Sequence, residues 1–479
     1  MCGPGKWCTG PERRGNVSGG ILIAGTGSGC GKTTFTCGFL RALMRRGSRP
    51  CAFKCGPDYI DPSFHARVLG VPGYNLDPFF TEEETLRLLY ARHSQTGDIS
   101  VVEGVMGYYD GLGFGHEAST YQTACALRMP VILLVDCRGM GSSVMAVAEG
   151  FLNHRNPSRI RGVIFNRLAP ALYEKANQAA EELGIRSYGY LPDRLAMQLK
   201  SRHLGLVMAE EVTDFAVKVD EIAQAIEETV DVDGIVQLAA EAACVEEIPW
   251  DNDGRHTRPV SWNTATPQAE GGPCIAVAKD QAFCFLYEDN LNFLRERGAH
   301  IIFFSPLHDR ALPKECDGLY LSGGYPELYA GQLEENVPMR EDIRRRIGAG
   351  LPCIAECGGF LYLHEQLETG GRFYKMTGVI EADALSGSRK GHFGYIQAQL
   401  PTDCLLGKKG TSFRAHEFHY WQSTMTRADI RVVKPGNGAV WEEGFCSRTL
   451  YAGFPHLYFY GSPGVGESFL EAAQTYNNK

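Results

Sequence analysis

Residues 21–35 read ILIAGTGSGCGKTTF. A short apolar run enters a cluster of glycines, and Lys32, Thr33 and Thr34 then open a helix-periodic segment. A phosphate held by backbone needs several N–H groups close together, which only small residues allow, and it gains from the positive end of a helix dipole. Gly25, Gly27, Gly29 and Gly31 meet the first need, and the helix from Thr33 meets the second. In such a loop the lysine reaches the β- and γ-phosphates and the adjoining hydroxyl serves Mg²⁺, roles that fall here to Lys32 and Thr33. The usual pattern places glycine six residues before the lysine, whereas this chain has Thr26 there, between Gly25 and Gly27. The strand–loop–helix context decides the reading. Gly27, Gly29, Gly31, Lys32, Thr33 and Thr34 are expected to cradle a nucleotide, with Mg²⁺ on Thr33.

Outward from the loop, strand-like runs alternate with helical ones. Residues 20–24, 50–54, 99–105, 131–136 and 161–166 read as strands, and 33–46 and 142–153 as helices. Thr81 with Glu84 reads as a capping box opening a further helix. Strands this apolar are usually buried on both faces, which implies a parallel sheet. Residues 246–272, rich in Pro, Gly, Asn and Thr, break the pattern and read as a linker. The alternation restarts at 274–278 and continues through 288–297, 300–304, 319–321, 340–347 and 353–355. The expected organisation is an α/β chain: a loose extension at 1–18, a phosphate-loop unit at 19–244, a linker at 245–272 and a second α/β unit at 273–479.

The bulk properties fit a soluble two-unit protein. The 479 residues are 44% hydrophobic and 22% charged, with a formal net charge of −9. That charge gives no reason to expect nucleic acid or an acidic membrane as partner. No run approaches the length of a membrane span. The 16 cysteines show no zinc spacing, and the chain reads as reduced and cytoplasmic.

Ends of buried strands supply further candidates in the first unit. In VVEGVMGYYDG, Glu103 stands where a carboxylate can complete a Mg²⁺ shell, since hard cations prefer oxygen. In FKCGPDYIDPSFH, Lys54, Asp58, Asp61 and His65 gather near one strand end, the place where open α/β sheets bind ligands. They are candidates for a substrate site. Asn166, in VIFNRL, is a candidate for contact with a nucleotide base.

A second chemistry appears in PCIAECGGFLYL, where a strand meets Cys357, glycines and a helix. This is the layout of a nucleophile elbow, whose helix N-terminus favours a thiolate. Ala355 replaces the first glycine of the usual elbow and Gly359 keeps the last. His456, in YAGFPHLYFY, is the candidate base. Gly323 and Gly324, in YLSGGYPE, offer N–H groups for an oxyanion hole. This order of groups is that of triad-type glutamine amidotransferases, which usually carry Glu two residues after the histidine. Tyr458 stands there instead. His416, Glu417 and His419, in RAHEFHYW, are nearby polar residues that the sequence does not assign to catalysis.

The first unit resembles the dethiobiotin-synthetase-like branch of phosphate-loop proteins, and the second resembles class I glutamine amidotransferases. Taken together, GTGSGCGKTT, FKCGPDYIDPSFH, NLDPFF, VVEGVMGYYDG, LSGGYPE, AECGGFLYL and AHEFHYW resemble the cobyrinic acid a,c-diamide synthase family over residues 20–465. The resemblance implies a cytoplasmic ligase of cobalamin biosynthesis that uses ATP, Mg²⁺, L-glutamine and cobyrinic acid. It implies Cys357 and His456 as the glutaminase pair without the third Glu, and Lys32 in phosphoryl transfer. A homodimer is admitted by it. Sister enzymes of the same chemistry act on hydrogenobyrinic acid or nickel-sirohydrochlorin. A more distant reading is a partitioning-type ATPase, which would have no use for an elbow cysteine.

Overall fold

The computed structural model describes residues 19–193, 211–242, 271–387 and 392–478. The expected extension at 1–18 and nearly all of the expected linker lie outside the described residues. Seven strands open the fold: β1 (Gly20–Gly25), β2 (Pro50–Cys55), β3 (Gly73–Leu76), β4 (Ile99–Glu103), β5 (Val131–Asp136), β6 (Ile160–Asn166) and β7 (Arg186–Leu191). They form one sheet in the order β3-β2-β4-β1-β5-β6-β7. Every pairing is parallel. Separate apolar clusters cover its two faces, which is why these strands are continuously hydrophobic. Helix α1 (Lys32–Arg45) packs against the helix Glu211–Thr229. Gly38 makes that approach close: a Cβ there would stand 2.3 Å from Ile222 Cγ2.

Register does more than hold this sheet together. Ile23 pairs with Glu103, and Glu103 with Lys54, across β1, β4 and β2. A carboxylate and an ammonium are thereby set side by side next to the phosphate loop. The chain leaves β1 toward β2 on one side and reaches β5 on the other, so the loop stands at the topological switch of the sheet.

The second half is built on β8 (Cys274–Ala278), β9 (Phe283–Phe285), β10 (His300–Phe304), β11 (Gly318–Leu321), β12 (Gly323–Gly324) and β13 (Cys353–Glu356). Its main sheet runs β10-β8-β11-β13, then Leu450–Gly453 and Phe445–Cys446. All pairings are parallel except the last. A five-stranded antiparallel sheet stands beside it, and in that sheet Ser412–Phe418 pairs with His456–Leu457. The halves share one core. Tyr59, Phe80 and Leu89 of the first pack with Tyr287, Tyr458 and Phe459 of the second. Each such buried side chain contributes roughly 1.5–3 kcal/mol, so the two units do not behave as beads on a linker.

Two expectations fail here. The capping box does not form: the helix Glu83–Ser94 has Glu82 as its N-cap, with no side-chain cap. The Thr81 hydroxyl donates instead to the Asp77 carbonyl at 3.0 Å, because the Asp77 carboxylate winds the preceding turn by accepting Phe79 N–H at 2.8 Å. Nor is the chain wholly reduced. Cys404 and Cys446 are joined with their Cα atoms 5.8 Å apart, a pairing of two loop-and-strand positions that spacing alone does not reveal. Among the described residues, no helix is long and apolar enough to cross a membrane.

Candidate functional site

The phosphate loop turns tightly through Gly29 (φ 75°) and Gly31 (φ 98°). A Cβ at Gly27 or Gly29 would meet nothing within 4 Å, so this face of the loop opens outward. Gly31 also caps α1 without any side-chain hydrogen bond, which leaves the first N–H groups of the helix for a ligand. Lys32 Nζ folds back across the loop to the Gly27 carbonyl at 3.0 Å and to the Met106 carbonyl. Burial lowers its pKa, partly opposed by Cys30, Glu103 and Asp61. Thr34 lies half-buried in the first turn beside Thr33. Asn166 Nδ2 donates to the Cys30 carbonyl at 2.6 Å, so its amide braces the loop from behind. Arg167, which the sequence reading missed, donates to the Gly29 carbonyl at 3.0 Å and pairs with Asp136 at 2.7 Å.

Beside the loop lies a buried polar cluster. Thr33 Oγ1 donates to Glu103 Oε1 at 2.6 Å and reaches Asp61 Oδ2 at 3.2 Å. Lys54 Nζ bridges Asp61 Oδ2 at 2.6 Å and Glu103 Oε1 at 2.7 Å. Burial opposes the Lys54 charge, yet Asp61 and Glu103 together hold its pKa well above the ordinary value. One ammonium cannot serve two carboxylates equally. Burial disfavours ionisation of both, but Lys54 pulls Asp61 below the usual range. Glu103, buried and beside Asp61, is pushed up to about 7. His65 lies behind, with Nε2 3.8 Å from Glu103 Oε2, and burial pushes it down to about 4.

The four substrate candidates therefore separate. Lys54, Asp61 and His65 are buried around Glu103 and do not line an open pocket. Asp58 winds the loop, accepting Ile60 N–H at 2.7 Å. Burial and the neighbouring Asp61 raise Asp58 to about 6. The cluster suits Mg²⁺ by its chemistry: Thr33, Asp61 and Glu103 converge as hard oxygens, and Glu103 Oε2 is buried without a hydrogen-bond partner. Among the described residues, no group of three or more His, Cys, Asp and Glu is arranged to hold a metal. A cation here would take the rest of its shell from phosphate oxygens and water, as Mg²⁺ usually does.

In the second half Cys357 sits between β13 and a short helix, Gly358–Leu363, with φ 45° and ψ −99°. That positive φ at a non-glycine residue is the strained turn of an elbow. A Cβ on Gly358 would stand 2.8 Å from Gly324 N, so the backbone of β12 lies directly against the turn. The Cys357 thiol faces the Phe418 carbonyl at 3.8 Å. The Gly358 N–H at the helix N-terminus favours the thiolate, but burial outweighs it. The helix has only six residues, and burial with the nearby Glu327 pushes the thiol up. His456 is fully buried, and a Cβ on Gly323 would lie 2.5 Å from its Cε1. Glu356, missed from sequence, has Oε2 3.6 Å from His456 Nδ1.

One segment joins the two places. Asp61 belongs to the nucleotide-side cluster, while the Tyr59 ring lies 5.3 Å from Phe285 and 4.9 Å from the His456 imidazole. Tyr287 donates its hydroxyl to the Pro57 carbonyl at 3.2 Å.

A phosphate loop at the switch point of one parallel sheet, and a cysteine elbow on a second, define an amidating ligase with a glutamine amidotransferase half. Residues 21–207 match the CobQ/CobB/MinD/ParA nucleotide binding domain, and residues 274–463 match the CobB/CobQ-like glutamine amidotransferase domain. The cobyrinate a,c-diamide synthase of Listeria innocua is 38% identical, over 93% of this chain and 97% of its own. Those of Salmonella typhimurium (38%; 95% and 98%) and a Synechococcus strain (35%; 95% and 98%) are similar throughout. The chain belongs to the cobyrinate a,c-diamide synthase family.

Proposed function

We propose that this chain amidates the a- and c-acetate carboxylates of cobyrinic acid, using ATP and L-glutamine, in cobalamin biosynthesis. The observation that carries the reading is the segment 57–61, which touches the phosphate-loop cluster through Asp61 and the glutaminase histidine through Tyr59. In the second half, Cys357 sulfur attacks the glutamine carboxamide carbon, and the Gly323–Gly324 amides receive the developing oxyanion. His456 takes the thiol proton and returns it to the leaving nitrogen, releasing ammonia. Water then cleaves the thioester to give glutamate. In the first half, a substrate carboxylate oxygen attacks the γ-phosphorus of ATP, and the bond to ADP breaks. Ammonia nitrogen attacks the resulting acyl phosphate, phosphate leaves, and the nitrogen loses a proton to give the amide.

Lys32 and the loop N–H groups hold phosphate charge through the transfer. Thr33 and Glu103, with Asp61 beside them, are the residues that would hold Mg²⁺, which would supply charge neutralisation there. Asn166 keeps the loop shaped for the nucleotide. The working units are 19–244 and 273–479 with 245–272 between them, and the cytoplasm is the compartment. A homodimer is the oligomeric state to check by light scattering. The MinD/ParA likeness is confined to the first half, and a partitioning ATPase would leave Cys357 and His456 without a task.

The test is mass gain with ATP and glutamine on cobyrinic acid, hydrogenobyrinic acid and nickel-sirohydrochlorin in parallel. Two successive amidations of cobyrinic acid support the reading. Preference for either other tetrapyrrole moves the substrate and keeps the chemistry. No amidation of any of them removes the proposal.

A further inference from the structure

We infer that Glu356, the residue immediately before the nucleophile, is the carboxylate that orients His456. The inference rests on the glutaminase reading of Cys357 and His456. Cysteine–histidine pairs work best when a third group fixes the imidazole tautomer and ring orientation. The position where amidotransferases usually carry that acid, two residues past the histidine, holds Tyr458. Its hydroxyl is turned away: it donates to Asp289 Oδ2 at 2.8 Å, and Asp289 also pairs with His93 of the first half at 2.6 Å. Tyr458 is thus a strut between the two halves.

Glu356 has the geometry that Tyr458 lacks. It ends β13, only 1% exposed, directly before the elbow. Its Oε1 accepts the N–H of Leu457, the residue after His456, at 3.0 Å. That bond fixes the carboxylate against the backbone carrying the histidine. The other oxygen, Oε2, points at His456 Nδ1 from 3.6 Å. This exceeds a hydrogen bond, and catalytic contacts of this kind run long in the free enzyme and tighten with substrate. Nδ1 itself is buried and has no other hydrogen-bond partner. An ionised carboxylate only accepts, so it keeps the proton on Nδ1 and leaves the Nε2 lone pair for the thiol. No proton passes to Glu356. His416 stands opposite His456 in the strand register, so the two side chains share a face, but burial pushes His416 down to about 3 and it offers Nδ1 no negative charge. The next residue, Glu417, projects to the other face, where Glu443 neighbours it.

Glu356 is therefore a positioning residue, and its loss has a signature that a packing residue lacks. Glu356→Gln keeps the shape and the acceptor for Leu457, yet loses the charge facing Nδ1. Glutaminase kcat is expected to fall about 100-fold, with little change in KM for glutamine. Amidation from ammonium stays at the wild-type rate. The histidine limb of the kcat/KM profile moves to lower pH, since the imidazolium loses its counter-charge; Tyr59, Tyr320, Cys357, His416 and His419 surround the same pair and are common to both proteins. Glu356→Asp, which restores the charge on a shorter arm, recovers part of kcat and carries the test if the glutamine variant does not fold. Wild-type kcat and an unmoved pH limb in Glu356→Gln overturn the inference, and so does equal loss of ammonium-dependent amidation. Cys357→Ala run alongside separates the two failures. If it hydrolyses glutamine, the nucleophile is wrong; if it does not and Glu356→Gln is normal, only the role of Glu356 falls.

Discussion

The Tyr59 ring lies 4.9 Å from the His456 imidazole, although one belongs to the phosphate-loop half and the other to the cysteine half. Two residues along, Asp61 is held by Lys54 at 2.6 Å. A single turn of chain thus connects that cluster to the histidine. Tyr59→Leu is expected to lower glutamine-dependent amidation about tenfold, roughly 1.4 kcal/mol of barrier, while ammonium-dependent amidation is retained. The measurement is glutamate released per amide formed. An unchanged ratio and rate would show that the contact only fills space.

Gly323 has no room for a side chain. Its added Cβ would stand 2.5 Å from His456 Cε1, and the buried imidazole has nowhere to retreat. Gly323→Ala should fold with a small loss of melting temperature but lose about 100-fold in glutaminase kcat, the scale of disturbing an oxyanion-hole residue. Normal turnover of glutamine by this variant would remove β12 from the site.

The phosphate loop, both parallel sheets and the cysteine elbow are legible in sequence because each is written in contiguous residues: an apolar run, then small residues, then a helical period. What depends on register is not. That Lys54 meets Glu103 beside Thr33 and Asp61 follows from the Glu103–Lys54 pairing across β4 and β2. Glu356 reads as one more residue of a buried strand, and the usual search two residues past the histidine finds Tyr458. The preceding β13–Leu450–Gly453 pairing brings the elbow beside His456, and no local pattern announces it. The Thr81 signal was present in sequence but lost to the stronger turn wound by Asp77.

Acid should destabilise the native state through its buried neutral histidines, and His364 is one of them. His364 follows the elbow helix and is tied at both ring nitrogens, to the Phe360 carbonyl at 2.8 Å and to Ser423 Oγ at 2.7 Å. Burial pushes it down to about 4. The unfolded chain binds this proton near pH 6.5, so the native state is penalised as pH falls from there toward 4. One such histidine is worth on the order of 3 kcal/mol across that window. Melting temperature should fall over pH 6.5–4, and His364→Gln should flatten that dependence despite starting lower. An identical slope in the variant would assign the acid sensitivity elsewhere.

Lys32→Ala is expected to abolish amidation from either nitrogen source, because both routes need phosphate charge neutralised at the loop. Glu103→Gln should do the same less completely, with partial recovery at high Mg²⁺. Near-normal ammonium-dependent activity in Lys32→Ala, or an unaltered Mg²⁺ requirement in Glu103→Gln, would take the residue concerned out of the reaction.

Cys357→Ala should divide the two half-reactions. The sulfur is needed only to release ammonia from glutamine, and from the strained turn at φ 45° it faces the Phe418 carbonyl at 3.8 Å. Alanine tolerates the same buried position, so Lys32, Thr33, Lys54, Asp61 and Glu103 keep their arrangement. Glutamine-dependent amidation should vanish. Amide should still form from ATP, substrate and high ammonium at raised pH, where more of the nitrogen is free NH₃. His456→Ala should show the same division less completely, since a thiol keeps some reactivity without its base. Glutamine hydrolysis at the normal rate by Cys357→Ala would show the nucleophile to be misassigned. Loss of both nitrogen sources would show that the elbow supports the other half structurally.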